Sequence, residues 1–135
     1  MENFHFITDK EQLKRATHAV TENERTKTAV EELNAGNVKA FGKLMNQSHI
    51  SLRDDYEVTG FELDSLVEAA WEAKGVIGSR MTGAGFGGCT VSIVEDEFID
   101  EFIKSVGKKY KSKTGLTADF YVAKIGDGSR KLGDF

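Results

Sequence analysis

Gly83, Gly85, Gly87 and Gly88 fall within six residues, with Ser79, Arg80 and Thr82 just before them and Cys89 just after. Residues of these types at this spacing suit a loop whose backbone amides converge on an anion. Glycine reaches positive φ cheaply and keeps a Cβ out of a ligand's way. The wider stretch Gly78–Val91 holds five of the fourteen glycines and lies between two short apolar runs. A tight connection between strands also needs glycine for its turns, so glycine spacing alone leaves both readings open.

Other side chains offer weaker chemistry. Arg53, Asp54, Asp55 and Tyr56 bring charge and an aromatic ring together at a helix end, as a metal or sugar site does. Such a cluster more commonly ties a loop to its neighbours by ion pairs, which is the expectation here. His18 and His49 have no second histidine or cysteine at metal-ligand spacing, so they are expected to be packed or interface residues and no metal site is assigned. Cys89 has no base near it in sequence and is expected to be buried as a small hydrophobe.

Composition narrows the class. A chain of 135 residues, 39% hydrophobic and 30% charged, with net charge −4 and a pI near 5.4, is expected to form one soluble, acidic domain over residues 1–135. It shows no apolar run long enough to span a bilayer and no signal-peptide pattern, and its single cysteine cannot form an internal disulfide. A cytoplasmic setting without a membrane partner follows as the expectation. Nucleic-acid binding is not expected, because it relies on neutralising phosphates. Lys104, Lys108, Lys109, Lys111 and Lys113 read as the solvated face of a helix instead.

The elements that must position the glycine stretch follow from periodicity. Phe4 and Phe6 around His5 suggest a short strand or an extended lead-in. Thr8-Asp9-Lys10-Glu11 has the form of a capping box with Thr8 as the cap, and the helix it opens runs to a stop at Asn34-Ala35-Gly36-Asn37. Its middle, Thr21 to Thr26, is polar all round, which suggests exposure or a polar interface. Asn37 caps a second helix carrying Val38, Phe41, Leu44, Met45, Ser48 and Leu52, and Glu62–Lys74 forms a third that Gly75 ends. The second half changes period. Val76–Met81 and Cys89–Val94 read as strands around the glycine stretch. A helix follows, acidic at Glu95–Glu97, basic at Lys108–Lys111, with Phe98, Phe102 and Val106 as its core stripe. Ala118–Ile125 alternates as a third strand, and Gly126–Ser129 is a terminal turn. The order predicts an α+β fold of two layers, with the three strands in one antiparallel sheet and helices packed on it.

Ser79-Arg80-Met81-Thr82-Gly83-Ala84-Gly85-Phe86-Gly87-Gly88-Cys89 resembles, without a gap, the third signature motif of the GHMP kinases in their galactokinase branch. His18 to Arg25 is similar to a helix segment that precedes this motif there. Asn46 to Thr59, followed by Glu62-Leu63-Asp64, is similar to a second such block. At Phe61 many relatives have proline, a departure that touches only a helix start. The resemblance implies the family's C-terminal domain, ferredoxin-like with extra N-terminal helices. It also implies an enzyme that transfers phosphate from ATP to galactose with magnesium.

The resemblance further implies an absence. The family's sugar-binding motif, its Gly-Leu-Ser-Ser-Ser-Ala phosphate loop and its catalytic aspartate belong to an N-terminal domain, and none is found in these residues. The chain is therefore expected to need that domain as its partner, to hold no catalytic residue and no tightly bound cofactor, and to be inactive alone. It is also expected to self-associate through the surface the partner would cover. Thr82, Gly83, Ala84, Gly85, Phe86, Gly87 and Gly88 are placed near the ATP phosphates or behind the partner's phosphate loop. Arg80 pairs with a phosphate or an acidic residue across the cleft, or else with a carboxylate of its own domain. Ser79 and Thr82 donate to phosphate oxygens or satisfy backbone groups. Glu22, Asn23 and Arg25 face the partner domain. Two other readings remain: a free-standing small-ligand or nucleotide-binding regulatory module, and another sugar kinase of the same family.

Overall fold

The computed structural model describes residues 6–126 and Gly128. Helix α1, Lys10–Asn34, starts one residue later than the capping box suggested. Asp9, not Thr8, is its cap, and the Asp9 carboxylate accepts from the Gln12 amide at 2.9 Å. A carboxylate caps as well as a hydroxyl and also complements the helix dipole. The turn Ala35–Asn37, with Gly36 at φ 72°, reverses the chain into α2, Val38–Ser51, whose Asn37 cap accepts from the Ala40 amide. One π-helical turn, Leu52–Tyr56, extends α2 before Glu57 breaks it in the left-handed region at φ 59°. Helix α3, Phe61–Trp71, then leads through Gly75 into strand β1, Val76–Thr82.

Strand β1 pairs antiparallel with β2, Cys89–Val94, in a register that sets Thr82 opposite Cys89 and Arg80 opposite Val91, with an irregularity between Val76 and Gly78. A 3-10 turn, Asp96–Phe98, precedes α4, Ile99–Thr114, which ends at Gly115 in the left-handed conformation. Phe102, Val106 and Tyr110 are the buried stripe of α4. Phe102 and Val106 pack on Ala69 and Ala70 of α3, with Val76 and Val94 of the hairpin at the margin. A second cluster, Leu52, Leu63 and Met81, lies under the far end of β1. The architecture is α+β in two layers, as predicted.

The sheet is smaller than predicted. Among the described residues it has two strands, and residues 118–125 form no ladder. Alternation still shows there: Ala118 and Phe120 are partly buried, Asp119 and Tyr121 exposed, and Phe120 meets Phe102 edge to face at 6.3 Å. Alternation chooses a face for each side chain, whereas a ladder also requires a neighbouring backbone, and that second condition is not met. Phe6 and Ile7 are not a strand, and Met1–His5 lie outside the described residues, as do Asp127 and Ser129 of the expected terminal turn. No helix among the described residues is long and apolar enough to cross a membrane.

Candidate functional site

The glycine bend springs from the end of β1, so its placement depends on what holds that strand. On one side β2 supplies the ladder; on the other no strand is present among the described residues, and side chains take its place. Gly42 in α2 and Gly78 in β1 lie back to back. A Cβ on Gly42 would run into the Ile77 carbonyl, and one on Gly78 into the backbone of Gly42. Two bare Cα atoms thus let helix and strand approach to backbone contact. Along the same face of α2, four and seven residues on, Asn46 Oδ1 accepts from the Ser79 amide at 2.8 Å and His49 Nδ1 accepts from the Met81 amide at 3.1 Å. The Trp71 indole N–H of α3 donates to the Ser79 carbonyl at 3.0 Å. Left unpaired in this buried seam, each of these groups would cost about 1–3 kcal/mol.

Beyond Thr82 the chain becomes open. Gly83, Gly85 and Gly87 take positive φ, as does Phe86 at 54°, and the side chain of Phe86 is 77% exposed. The bend is pinned at one point, where the Phe86 amide donates to the Val58 carbonyl at 2.9 Å while the Val58 amide donates to the Leu52 carbonyl. Gly85 sits directly over that carbonyl, with no room for a Cβ. Gly83 and Gly87 face open space. The Gly88 amide donates to the Gly85 carbonyl at 3.3 Å, and the turn at Gly83-Ala84 folds the Gly85 amide back toward the Thr82 carbonyl, but those of Gly83, Ala84 and Gly87 find no acceptor among the described residues. A row of exposed, unpaired amides without side chains in front of them is a geometry that accepts an anion.

The remaining candidates sort themselves by distance from the bend. Arg80 is turned toward α1: its Nη1 lies 3.5 Å from Glu22 Oε1, and its Nε donates to the Met81 carbonyl at 2.9 Å. Glu22 also accepts from Ser48 and pairs with Arg25, so one face of the polar middle of α1 forms a polar interface within the domain, while Asn23, Glu24 and Thr26 are exposed. Ser79 is fully buried and shares a hydrogen bond with Ser92 across the ladder at 2.8 Å, which removes it from any ligand. Thr82 is exposed at the mouth of the bend. Cys89 corrects its expectation: it is exposed, because it faces Thr82 at the open end of the hairpin where nothing covers it.

The charged group after α2 is a tie. Arg53 pairs with Asp54 at 2.8 Å and approaches Glu68 at 3.5 Å, and Asp55 accepts from Ser51. Tyr56 stacks on His18, whose Nδ1 lies 3.0 Å from the Ser51 hydroxyl. Hydrogen bonding from Arg53 holds the Asp54 carboxyl below its usual range. Burial pushes both His18 and His49 below the usual imidazole range, against the pull of Glu22 on the first and Asp64 on the second. No group of three or more His, Cys, Asp or Glu suited to a metal occurs among the described residues. Sequence reasoning missed Gly42, Asn46, His49 and Val58 as supports. The glycine inside an apolar helical stripe was the available signal.

Comparison with known proteins gives the context. The family described as "GHMP kinases C terminal" matches residues 29–112. The chain is 75% identical over 128 residues to a galactokinase of Fusobacterium nucleatum subsp. nucleatum, covering 95% of this chain and 33% of that protein. It is 63% identical over 126 residues to a galactokinase of Clostridium acetobutylicum, covering 93% of this chain and 32% of the relative. The crystal structure of Lactococcus lactis galactokinase complexed with galactose superposes with a TM-score of 0.91 at 53% identity, covering 97% of this chain and 34% of that one. The chain thus spans about a third of the length of the curated relatives it matches.

Proposed function

The chain belongs to the GHMP kinases as a C-terminal domain of that family, and on that premise we propose that it serves an ATP-dependent galactokinase that makes galactose 1-phosphate and ADP in the cytoplasm. The observation that carries this reading is the glycine bend: three free amides, presented on the braced stem of β1, with open space at Gly83 and Gly87. ATP supplies a transferable phosphoryl group when bound. Phosphoryl transfer needs positioning and charge stabilisation more than covalent help from the protein. Gly83 to Gly88 contribute backbone donors to part of the phosphate cradle or brace the partner domain's own phosphate loop. Thr82 adds a hydroxyl at the rim. Arg80, held by Glu22, orders the stem. The proposal puts the metal ligands, the sugar site and the base on the partner domain, as the resemblance implies.

Two consequences follow from that division of labour. The 135-residue chain alone does not turn over galactose and ATP, and mixing or fusing it with an N-terminal galactokinase domain restores turnover. Phosphorylation of galactose by the chain alone overturns the reading. Tight nucleotide binding to the chain alone, with NMR shifts centred on Gly83–Gly88, favours a free-standing nucleotide-binding module instead. Exposed Phe86 and Val91 beside the bend form part of the surface offered to the partner. Without it the chain self-associates there, which light scattering over a concentration series reads directly.

A further inference from the structure

His49 is the one fully buried titratable side chain in the seam, and both of its ring nitrogens are engaged. Nδ1 lies 3.1 Å from the Met81 amide, and Nε2 lies 3.1 Å from Asp64 Oδ1 on α3. A backbone N–H can only donate, so Nδ1 presents its lone pair. The single proton of the neutral ring then sits on Nε2, aimed at a carboxylate that can only accept. Each partner demands the same tautomer. Trp71 packs edge-on against the ring at 5.6 Å and fixes its plane. Met81 is two residues ahead of Gly83 and is the last β1 amide on the edge facing away from β2 to be tied to a helix before the bend begins.

We propose that His49 is a positioning residue for the glycine bend: locked as the Nε2–H tautomer between Asp64 and Met81, it sets the strand end from which the free amides project. Its effect on catalysis rests on the reading of that bend as phosphate-facing, whereas its effect on the bend does not. The charged groups that bear on the ring are Asp64 of α3, Arg53 of the π turn and Arg80 of β1. A proton added at Nδ1 sets two donors against each other and opens the Met81 tie. Burial and the two arginines oppose that proton, which keeps the tie closed at neutral pH.

The test separates the two halves of the ring. His49→Asn keeps an acceptor where Nδ1 lies and loses the reach to Asp64, while His49→Gln keeps a donor toward Asp64 and loses the acceptor for Met81. Hydrogen exchange in the 135-residue chain is expected to leave Met81 protected in His49→Asn, and to lose roughly tenfold protection at Met81 in His49→Gln with shifts spreading through Gly83–Gly88. Equal behaviour of the two variants overturns the proposal and leaves His49 a packing residue. Imidazole nitrogen shifts of the unmutated chain give a check that needs no variant: an Nδ1–H tautomer at neutral pH overturns it as well. In the kinase reassembled with its N-terminal domain, His49→Gln is expected to raise KM for ATP roughly tenfold, and His49→Asn much less. A bend that moves in His49→Gln with KM unchanged supports the positioning role and refutes the phosphate-facing reading instead.

Discussion

Strand β1 and the bend that follows it are consecutive in sequence and opposite in how their backbone is treated. Along the edge of Ser79 to Met81 that faces away from β2, the Ser79 amide and carbonyl and the Met81 amide are met by side chains of α2 or α3, and the Met81 carbonyl by Arg80 of β1 itself. From Gly83 to Gly87 three amides are left with nothing to bind. The contrast shows how a domain presents unsatisfied donors without collapsing around them: the groups just upstream are over-determined, and the bend turns back on itself only locally, as where the Gly88 amide meets the Gly85 carbonyl. Preorganised donors of this kind cost no reorganisation when charge arrives.

The strongest way to break the contrast is to open the seam. Gly42→Ala puts a Cβ against the Ile77 carbonyl and is expected to cost about 3 kcal/mol or more, seen as a thermal midpoint lower by roughly 10 °C. Next comes the pinned point of the bend. Gly85→Ala meets the Val58 carbonyl at a backbone φ of 90° and is expected to lose about 2–3 kcal/mol in denaturant titration. Gly83→Ala sharpens the comparison, since open space surrounds it and only its φ of 76° resists, so the loss is expected near 1 kcal/mol. Its penalty in the reassembled kinase is expected to exceed that stability loss, because the new methyl stands in front of the amides. Trp71→Phe removes the donor to Ser79 while keeping most of the packing, for about 1 kcal/mol. Smallest of all, Cys89→Ser at the exposed mouth is expected to stay within about 0.5 kcal/mol.

Acid titration probes the same seam from another side. His18 and His49 have lowered folded-state pKa values, so below about 6.5 the unfolded chain binds protons that the native chain refuses. Stability is therefore full above that pH and falls as pH drops toward the folded values. A second loss comes in the carboxylate range. Asp54, Glu57 and Glu72 are held low chiefly by hydrogen bonds from Arg53, Arg15 and Lys109, and they give up those partners on protonation. Added salt is expected to soften the second stage, whose pairs are largely exposed, and to leave the first nearly unchanged, because its main cause is burial. Thermal midpoints measured from pH 8 to pH 3 at low and high salt check both stages.

Much of this was legible in the residues. Caps and glycine stops placed the helices to within a few residues, because each signal acts on its own backbone. Leu63, Val67, Ala70, Phe102 and Val106 were legible as core, since helical period reports burial directly. The glycine stretch showed its openness through spacing, although not which residue pins it: the Val58 carbonyl belongs to a loop some thirty residues away. His49 looked like a packed histidine, and it is one, but its two partners come from different elements that no local pattern connects. Residues 118–125 show the reverse failure, where a clear local pattern lacked the neighbour that would complete it. Cys89 was misjudged because hydrophobicity alone cannot tell a hairpin's covered middle from its uncovered mouth.

The side-chain seal on β1 has a directional result. A sheet with one flank closed by a helix that lies backbone to backbone against it can lengthen only past β2, so β1 is terminal in whatever larger sheet these residues join. Any added strand must therefore run along Cys89–Val94. The glycine bend would then close the outermost hairpin of that sheet.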